Sequence, residues 1–209
     1  MMRDDAPVAG TPPRKTYPPA FLTGLERVMR MIDVLLCGDS DGPVLAEALL
    51  SALSLYGGVC FSGNGRVLEL GVTPRYFLSE SGFVPEIGMP AGILILRDSV
   101  VIRDGASVPD GFFCVMSSDS VCAARILRGS RATAITCGTG PRDTLSLAAL
   151  EPGSAAVSLQ RNLRTLDGKL LEPRDFHVTL SRPLGPQQIL FTSAVLLLSD
   201  IDPEHGYIL

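Results

Sequence analysis

Lysine is nearly absent from this chain of 209 residues: two occur, Lys15 and Lys169, so none lies between Thr16 and Gly168. That absence removes from the central chain the ammonium that most phosphate-binding loops set against a nucleotide. It also removes any Schiff-base mechanism there. Histidine is as scarce, and the 28 positions between His177 and His205 argue against a histidine-based metal site. There is no tryptophan, and aromatics make up 6% of the residues, so stacking platforms for single-stranded nucleic acid are few. Long apolar runs are missing too. A bilayer span needs ~18 such residues, and the most apolar segment, Ile189 to Leu198, is about half that and contains Thr192 and Ser193. Met1 to Asp5 has no hydrophobic region after it, so no signal peptide is expected.

What is present is the composition of an apolar globular protein, 46% hydrophobic and 19% charged, with a net charge of -4. The charge is uneven: residues 1 to 119 carry nine cations and 14 anions, 120 to 182 nine and five, and 183 to 209 none and three. The middle stretch is scattered arginine without a dense basic run, the pattern of a solvated face, and no nucleic-acid partner is expected. Five cysteines, Cys37, Cys60, Cys114, Cys122 and Cys137, form no C-x-x-C and sit mostly in apolar runs. They read as reduced core thiols of a cytoplasmic protein.

Residues 1 to about 19 hold five prolines and are expected to be a disordered arm, with residues 20 to 209 one domain. Phe21 to Met31 has the apolar spacing of a helix. Asp33 to Cys37 is a short continuous apolar run, as in a strand buried on both faces, and it stops at Gly38-Asp39-Ser40-Asp41-Gly42-Pro43. Pro43 suits the first position of a helix, and Val44, Leu45, Ala48, Leu49, Ala52 and Leu53 continue it to Gly57-Gly58. Strand, loop, helix opens an α/β fold.

Further strands are expected at Val59 to Phe61, Val67 to Val72, Ile93 to Leu96, Val100 to Ile102, Phe112 to Met116 and Ala132 to Cys137. A short helix is expected at Asp119 to Arg128 and an irregular stretch at 79 to 92. Beyond Cys137 the apolar runs give way to alternation. Thr144 to Leu150, Ala155 to Arg164 and Leu170 to Leu180 look antiparallel around the hairpin signal Asp167-Gly168, and Gln187 to Ser199 reads as a helix buried against the sheet. The fold expected is a three-layer α/β domain, with a mostly parallel sheet, flanking helices and a β-hairpin elaboration near 155 to 180.

Ligands of open α/β sheets collect beyond the carboxyl ends of the strands. The candidate ligand-binding residues are therefore Gly38, Asp39, Ser40, Asp41 and Gly42 after the first strand, with Ser117, Asp119, Gly138 and Thr139 after two later ones. The glycines and a helix N-terminus could face an anion. Asp39 and Asp41 oppose one unless a divalent cation such as Mg²⁺ sits between them, and otherwise they cap the helix and face water.

The order DVLLCGDSDGPVLAEALLSAL, FFCVMSSDS, AITCGTGPRDTLSLAAL, Asp-Gly hairpin, PLGPQQILFTSAVLL resembles the central ATP-binding domain of the Mur ligases, with a P-loop-like topology, from about Asp33 to Asp200. In that family the first strand ends in a loop of the type G-T-x-G-K-T. Here Gly38 and Gly42 fit its glycines, Pro43 stands where the lysine belongs, and Val44 where the Mg²⁺-binding hydroxyl belongs. A proline supplies neither an ammonium nor an N–H. Ser117-Ser118-Asp119-Ser120 keeps one aspartate of the family's Asn-x-Asp-Asp, and Ile135-Thr136-Cys137-Gly138 fits its Thr-aromatic-Gly strand end. Gly185-Pro186-Gln187-Gln188-Ile189-Leu190-Phe191 alters both amides of its Gly-x-His-Asn-x-x-Asn. The resemblance reaches no C-terminal amino-acid-binding domain after Leu209. It implies a degenerate relative without catalytic residues or cofactor, acting on a protein partner or as a homo-oligomer, with no small-molecule ligand assigned.

Three alternatives stay open, the first a protein that retains residual nucleotide binding. Asp39-Ser40-Asp41-Gly42-Pro43-Val44 resembles the D-x-D-G-T motif of haloacid-dehalogenase-type phosphatases, which would make Asp39 a nucleophile with Mg²⁺, although Pro43 replaces the threonine. Alternatively, Cys37 or Cys137, each ending a strand, could be a nucleophile, given a base such as His177; that histidine reads as a residue on the polar face of a strand.

Overall fold

A computed structural model describes residues 31–39, 44–101 and 107–209, of which Met31–Leu209 belongs to one compact unit. The expected arm at 1–19, the helix at 21–31 apart from Met31, and Pro43 lie outside the described residues.

In chain order the strands and helices begin β1 (Ile32–Cys37), α1 (Val44–Leu55), β2 (Val59–Gly63), β3 (Arg66–Leu70), β4 (Tyr76–Ser81) and β5 (Ala91–Leu96). Then come β6 (Gly111–Ser117), α2 (Val121–Leu127), β7 (Thr133–Gly138), β8 (Leu145–Glu151) and β9 (Ser154–Leu159). The last are β10 (Leu163–Arg164), β11 (Leu170–Leu171), β12 (Arg174–Thr179), α3 (Pro186–Leu198) and β13 (Tyr207–Ile208). Eleven strands form one sheet in the order β13-β12-β9-β8-β7-β6-β5-β1-β4-β2-β3. Its pairings are parallel except at β2/β3, β8/β9 and β9/β12, so the α/β class with a mostly parallel sheet holds. The hairpin elaboration is the β9–β12 pair, tipped by the small β10–β11 ladder.

Apolar residues on both faces of the central strands produce two cores. Val34 and Leu36 of β1 with Ile93 and Ile95 of β5 point into the core shared with α1 and α3. Leu35, Leu94, Leu96, Cys114 and Met116 point the other way, against Ala123 of α2 and the chain around Val84 and Val100. Helix, sheet and helix are the three layers. Every residue of α3 from Ile189 to Leu198 is buried, Thr192 and Ser193 included, as is the C-cap Ser199, with α1 and β5 to β8 packed against the helix. Its C-terminus is capped by Arg75, just before β4, which donates from Nη2 to the Ser199 carbonyl. A cation there also complements the negative end of the helix dipole.

Several expectations need correction. The stretch at 79–92 is not irregular at its ends, since Ser79 to Ser81 finish β4 and Ala91 opens β5. β4 lies between β1 and β2 and pairs in parallel with both. Its Ser-Glu-Ser ending hid it, because the polar side chains there find partners inside the protein. Val100 to Ile102 forms no strand; Val101 makes an isolated bridge to Phe83, and Ile102 lies outside the described residues. The long alternating runs at 155–164 and 170–180 are each broken in two, where the chain leaves the large sheet to make the β10–β11 tip. β13 was not foreseen. Two residues suffice because Tyr207 is fully buried, stacks edge-on with Tyr56 and Phe176, and donates its hydroxyl to the Ile201 carbonyl at 2.7 Å.

Arg75→Met should destabilise the fold by about 2 kcal/mol, because it removes a charge-assisted hydrogen bond and leaves the α3 carbonyl uncapped. Urea denaturation with an unchanged slope would show it.

Candidate functional site

β1, β4, β5, β6 and β7 run parallel, so their carboxyl ends share one edge of the sheet. The strand order reverses at β1, which leads to β4 on one side and β5 on the other, and such a switch point is where a crevice forms. Gly38 ends β1 there with φ 120°, a conformation that favours glycine, and a Cβ on it would come within 2.7 Å of the Arg97 Cβ. Asp39 is exposed, and its carbonyl accepts a hydrogen bond from the Ser99 hydroxyl at 3.0 Å.

The centre of this crevice is an ion pair. Arg97, the residue after β5, directs Nη1 to Glu80 Oε1 at 2.7 Å and to the Gly38 carbonyl at 3.0 Å. Glu80 comes from β4, and its other oxygen accepts from Asn64 Nδ2 at 2.7 Å. The two charged side chains are 4% and 8% exposed, so water screens the pair little. Asn64 reaches in from the β2–β3 turn, where φ is 49° at Asn64 and 70° at Gly65, the signs of a type I′ hairpin. Four chain segments are thus tied at the point where a ligand of this fold class would enter.

The second group lies two and three strands away, at the ends of β6 and β7. Ser117 is half-buried, Asp119 and Thr139 are exposed, and the Ser118 N–H donates to the Cys137 carbonyl at 3.1 Å. Gly138 is hemmed in: a Cβ would lie 2.5 Å from Asp143 Oδ2 and 2.7 Å from the Ser118 hydroxyl. Asp143, 4% exposed, accepts from the Gly140 N–H at 2.9 Å and holds this turn. The Ser120 hydroxyl caps α2 by accepting from the Ala123 N–H, which moves the helix start from the expected Asp119 to Val121.

Of the nine candidate residues, Gly38 and Asp39 therefore stand at β1, and Ser117, Asp119, Gly138 and Thr139 at β6 and β7, on one sheet edge with β5 between the groups. Ser40, Asp41 and Gly42 lie outside the described residues. Glu80, Arg97, Asn64 and Asp143 were missed. Arg97 had a readable signal, a charge immediately after the buried run Ile93 to Leu96; the other three sit in segments that read as irregular or turn.

The thiol alternative is overturned. Cys37 and Cys114 are buried and free, and burial pushes both thiols up to about 12; the nearby Arg97 offsets this slightly at Cys37. Cys137 is pushed up further, by burial first and then by the Asp143 carboxylate. None of these would be a thiolate near neutrality. Cys60 and Cys122 are also free but half-buried. His177 is exposed on β12, the polar-face position expected for it, and lines a surface cleft together with His205. The fold therefore brings the two distant histidines to one place. Among the described residues no three His, Cys, Asp or Glu side chains are grouped to hold a metal ion.

This sheet, with its parallel centre and antiparallel extension, has a Mur-ligase-like fold. Two solved structures with that fold are MurF from Acinetobacter baumannii and the UDP-N-acetylmuramate:L-alanyl-gamma-D-glutamyl-meso-diaminopimelate ligase from Neisseria meningitides. The first is 14% identical with a TM-score of 0.50 over 83% of this chain and 44% of its own; the second is 13% identical with a TM-score of 0.52 over 85% and 64%. The chain thus spans less than two thirds of either ligase, and the likeness is one of fold. No protein-family model and no curated protein matches the sequence. No helix among the described residues is long and apolar enough to cross a membrane.

Two outcomes follow. Arg97→Met should cost about 3–5 kcal/mol because it strands the buried Glu80 carboxylate, and the double change Arg97→Met/Glu80→Gln should cost less than the single one in urea denaturation. With Ellman's reagent near pH 8, Cys60 and Cys122 should react in the folded protein and Cys37, Cys114 and Cys137 after unfolding. Because the folded thiols titrate above the unfolded ones, their contribution is complete below pH 9 and lost as pH rises towards 12.

Proposed function

We propose that this chain is a Mur-ligase-like binding or regulatory module that performs no ATP-dependent ligation. The observation that carries the reading is the buried Arg97–Glu80 pair bonded to the Gly38 carbonyl, which occupies the end of the switch-point crevice with the protein's own charges. A phosphate entering there would meet Glu80 and Asp39 with no lysine to offset them, since Pro43 and Val44 stand where the resemblance requires Lys and Thr or Ser. Arg97 is already engaged by Glu80, so the locality has no spare positive charge to offer. A connection to cell-wall precursors rests on the ligases whose fold it has, and a cytoplasmic setting on its five free thiols.

A thermal-shift panel with ATP, GTP, a UDP-sugar and inorganic phosphate, each with and without Mg²⁺, tests the reading. A nucleotide at 100 times its Kd would stabilise the protein by ~2.7 kcal/mol. No such Mg²⁺-dependent shift is expected, and no hydrolysis of p-nitrophenyl phosphate. A shift accompanied by ATP turnover would overturn the proposal. Hydrolysis abolished by Asp39→Asn or Asp41→Asn would favour the phosphatase.

A further inference from the structure

α2 is divided into two faces by its sequence. Cys122, Ala123, Ile126 and Leu127 pack against the second core. Val121, Ala124, Arg125 and Arg128 follow the i, i+3, i+4, i+7 spacing of the opposite face, and all four are exposed, Val121 at 70%. Arg131, three residues past the Arg128 C-cap, is exposed as well.

None of the three guanidiniums has an ion pair or hydrogen bond among the described residues, whereas those of Arg161, Arg164, Arg174 and Arg182 do. The sequence explains the lack of partners. From Val121 to Arg142 there are four arginines and no aspartate, glutamate or lysine. In a chain of net charge -4, this short helix and its C-cap carry an uncompensated positive face with an aliphatic side chain in it. The helix dipole accounts for a cation in the last turn, which covers Arg125 and Arg128 at most. It does not account for Arg131 or for the open Val121.

We infer that this face of α2 is a docking surface for an acidic polypeptide segment, one that lays an apolar side chain against Val121 and carboxylates against the three arginines. The chemistry selects that partner. Guanidinium forks match carboxylates in bidentate geometry, and arginine is enriched at protein interfaces. Three charges without an aromatic platform are too few to hold single-stranded nucleic acid by its bases. The surface lies on the helix beyond β6, so it works whether or not the crevice at β1 binds a nucleotide.

The test uses the full chain and a fluorescein-labelled peptide of Glu-Glu-Leu repeats, followed by anisotropy at ~50 mM salt, with an oligothymidylate of equal length as the comparison. Saturable peptide binding that weakens with salt is expected. It should fall about tenfold or more in Arg125→Gln/Arg128→Gln/Arg131→Gln, and several-fold in Val121→Ser, which leaves the charges in place. A melting curve for each variant identifies any loss due to unfolding, and Val121→Ser, at an exposed position, keeps the test decisive if the triple variant fails to fold. No saturable peptide binding, or equal binding by the variants, overturns the inference. Oligothymidylate binding as tightly as the peptide overturns the choice of an acidic polypeptide.

Discussion

Strand β1 is hydrophobic on both faces and bonded on both edges, and the rest of the structure is arranged to satisfy those two demands. Val34 and Leu36 need one layer, Leu35 and Cys37 another, and all four are less than 5% exposed. A strand with no solvent face must lie at the centre of a sheet covered on both sides, and its neighbours inherit the same requirement. β5 and β6 meet it with runs as apolar as β1. The helices differ in how they answer: α1 and α2 each bury one face, whereas α3 is buried all round from Ile189 to Leu198, its Thr192 and Ser193 enclosed with the apolar side chains.

The same centrality explains why the crevice at the end of β1 carries so much polar structure. Where the strands stop, hydrophobic burial stops with them, and the ends of β1, β4 and β5 would be free to splay. Arg97 is bonded to the Gly38 carbonyl and paired with Glu80, which is held in turn by Asn64, so one guanidinium joins three strand ends and a hairpin turn. A buried pair of this kind is weak evidence for added stability, because desolvating two charges costs several kcal/mol. Its effect is on specificity: it fixes which strand ends meet, and Gly38 must be glycine for the arginine to fit.

Much of this was legible from the sequence wherever one physical signal dominated. Continuous apolar runs located β1, β5, β6 and β7, helical spacing located α1 and α2, and the Asp-Gly pair located the hairpin tip. β4 was not legible, because half of it is Ser-Glu-Ser and its glutamate is buried by a partner 17 residues away in sequence. β13 escaped for a related reason: two residues carry no periodicity, and what holds them is an aromatic cluster of Tyr56, just after α1, and Phe176 of β12. The candidate site divides on the same line. Glycines and aspartates at strand ends could be named in advance from the loop chemistry, but Glu80 and Arg97 matter only as a pair, and a pair is a property of the fold.

Lysine scarcity can be restated in these terms. A sheet edge of this class has a position where positive charge is useful, at the switch point beyond the central strand. A lysine there would be a mobile ammonium on a flexible stem, able to follow a transferred phosphoryl group. An arginine whose Nη1 is held by a buried carboxylate and a carbonyl cannot move in that way, and its Nη2 is buried beside them without a partner. The positive charge beside this crevice lies at the end of β5 and is paired internally with Glu80. Among the described residues, Arg125, Arg128 and Arg131 gather guanidiniums without partners on and just beyond the outer face of α2, and contact with a partner is more readily sought there than at the crevice.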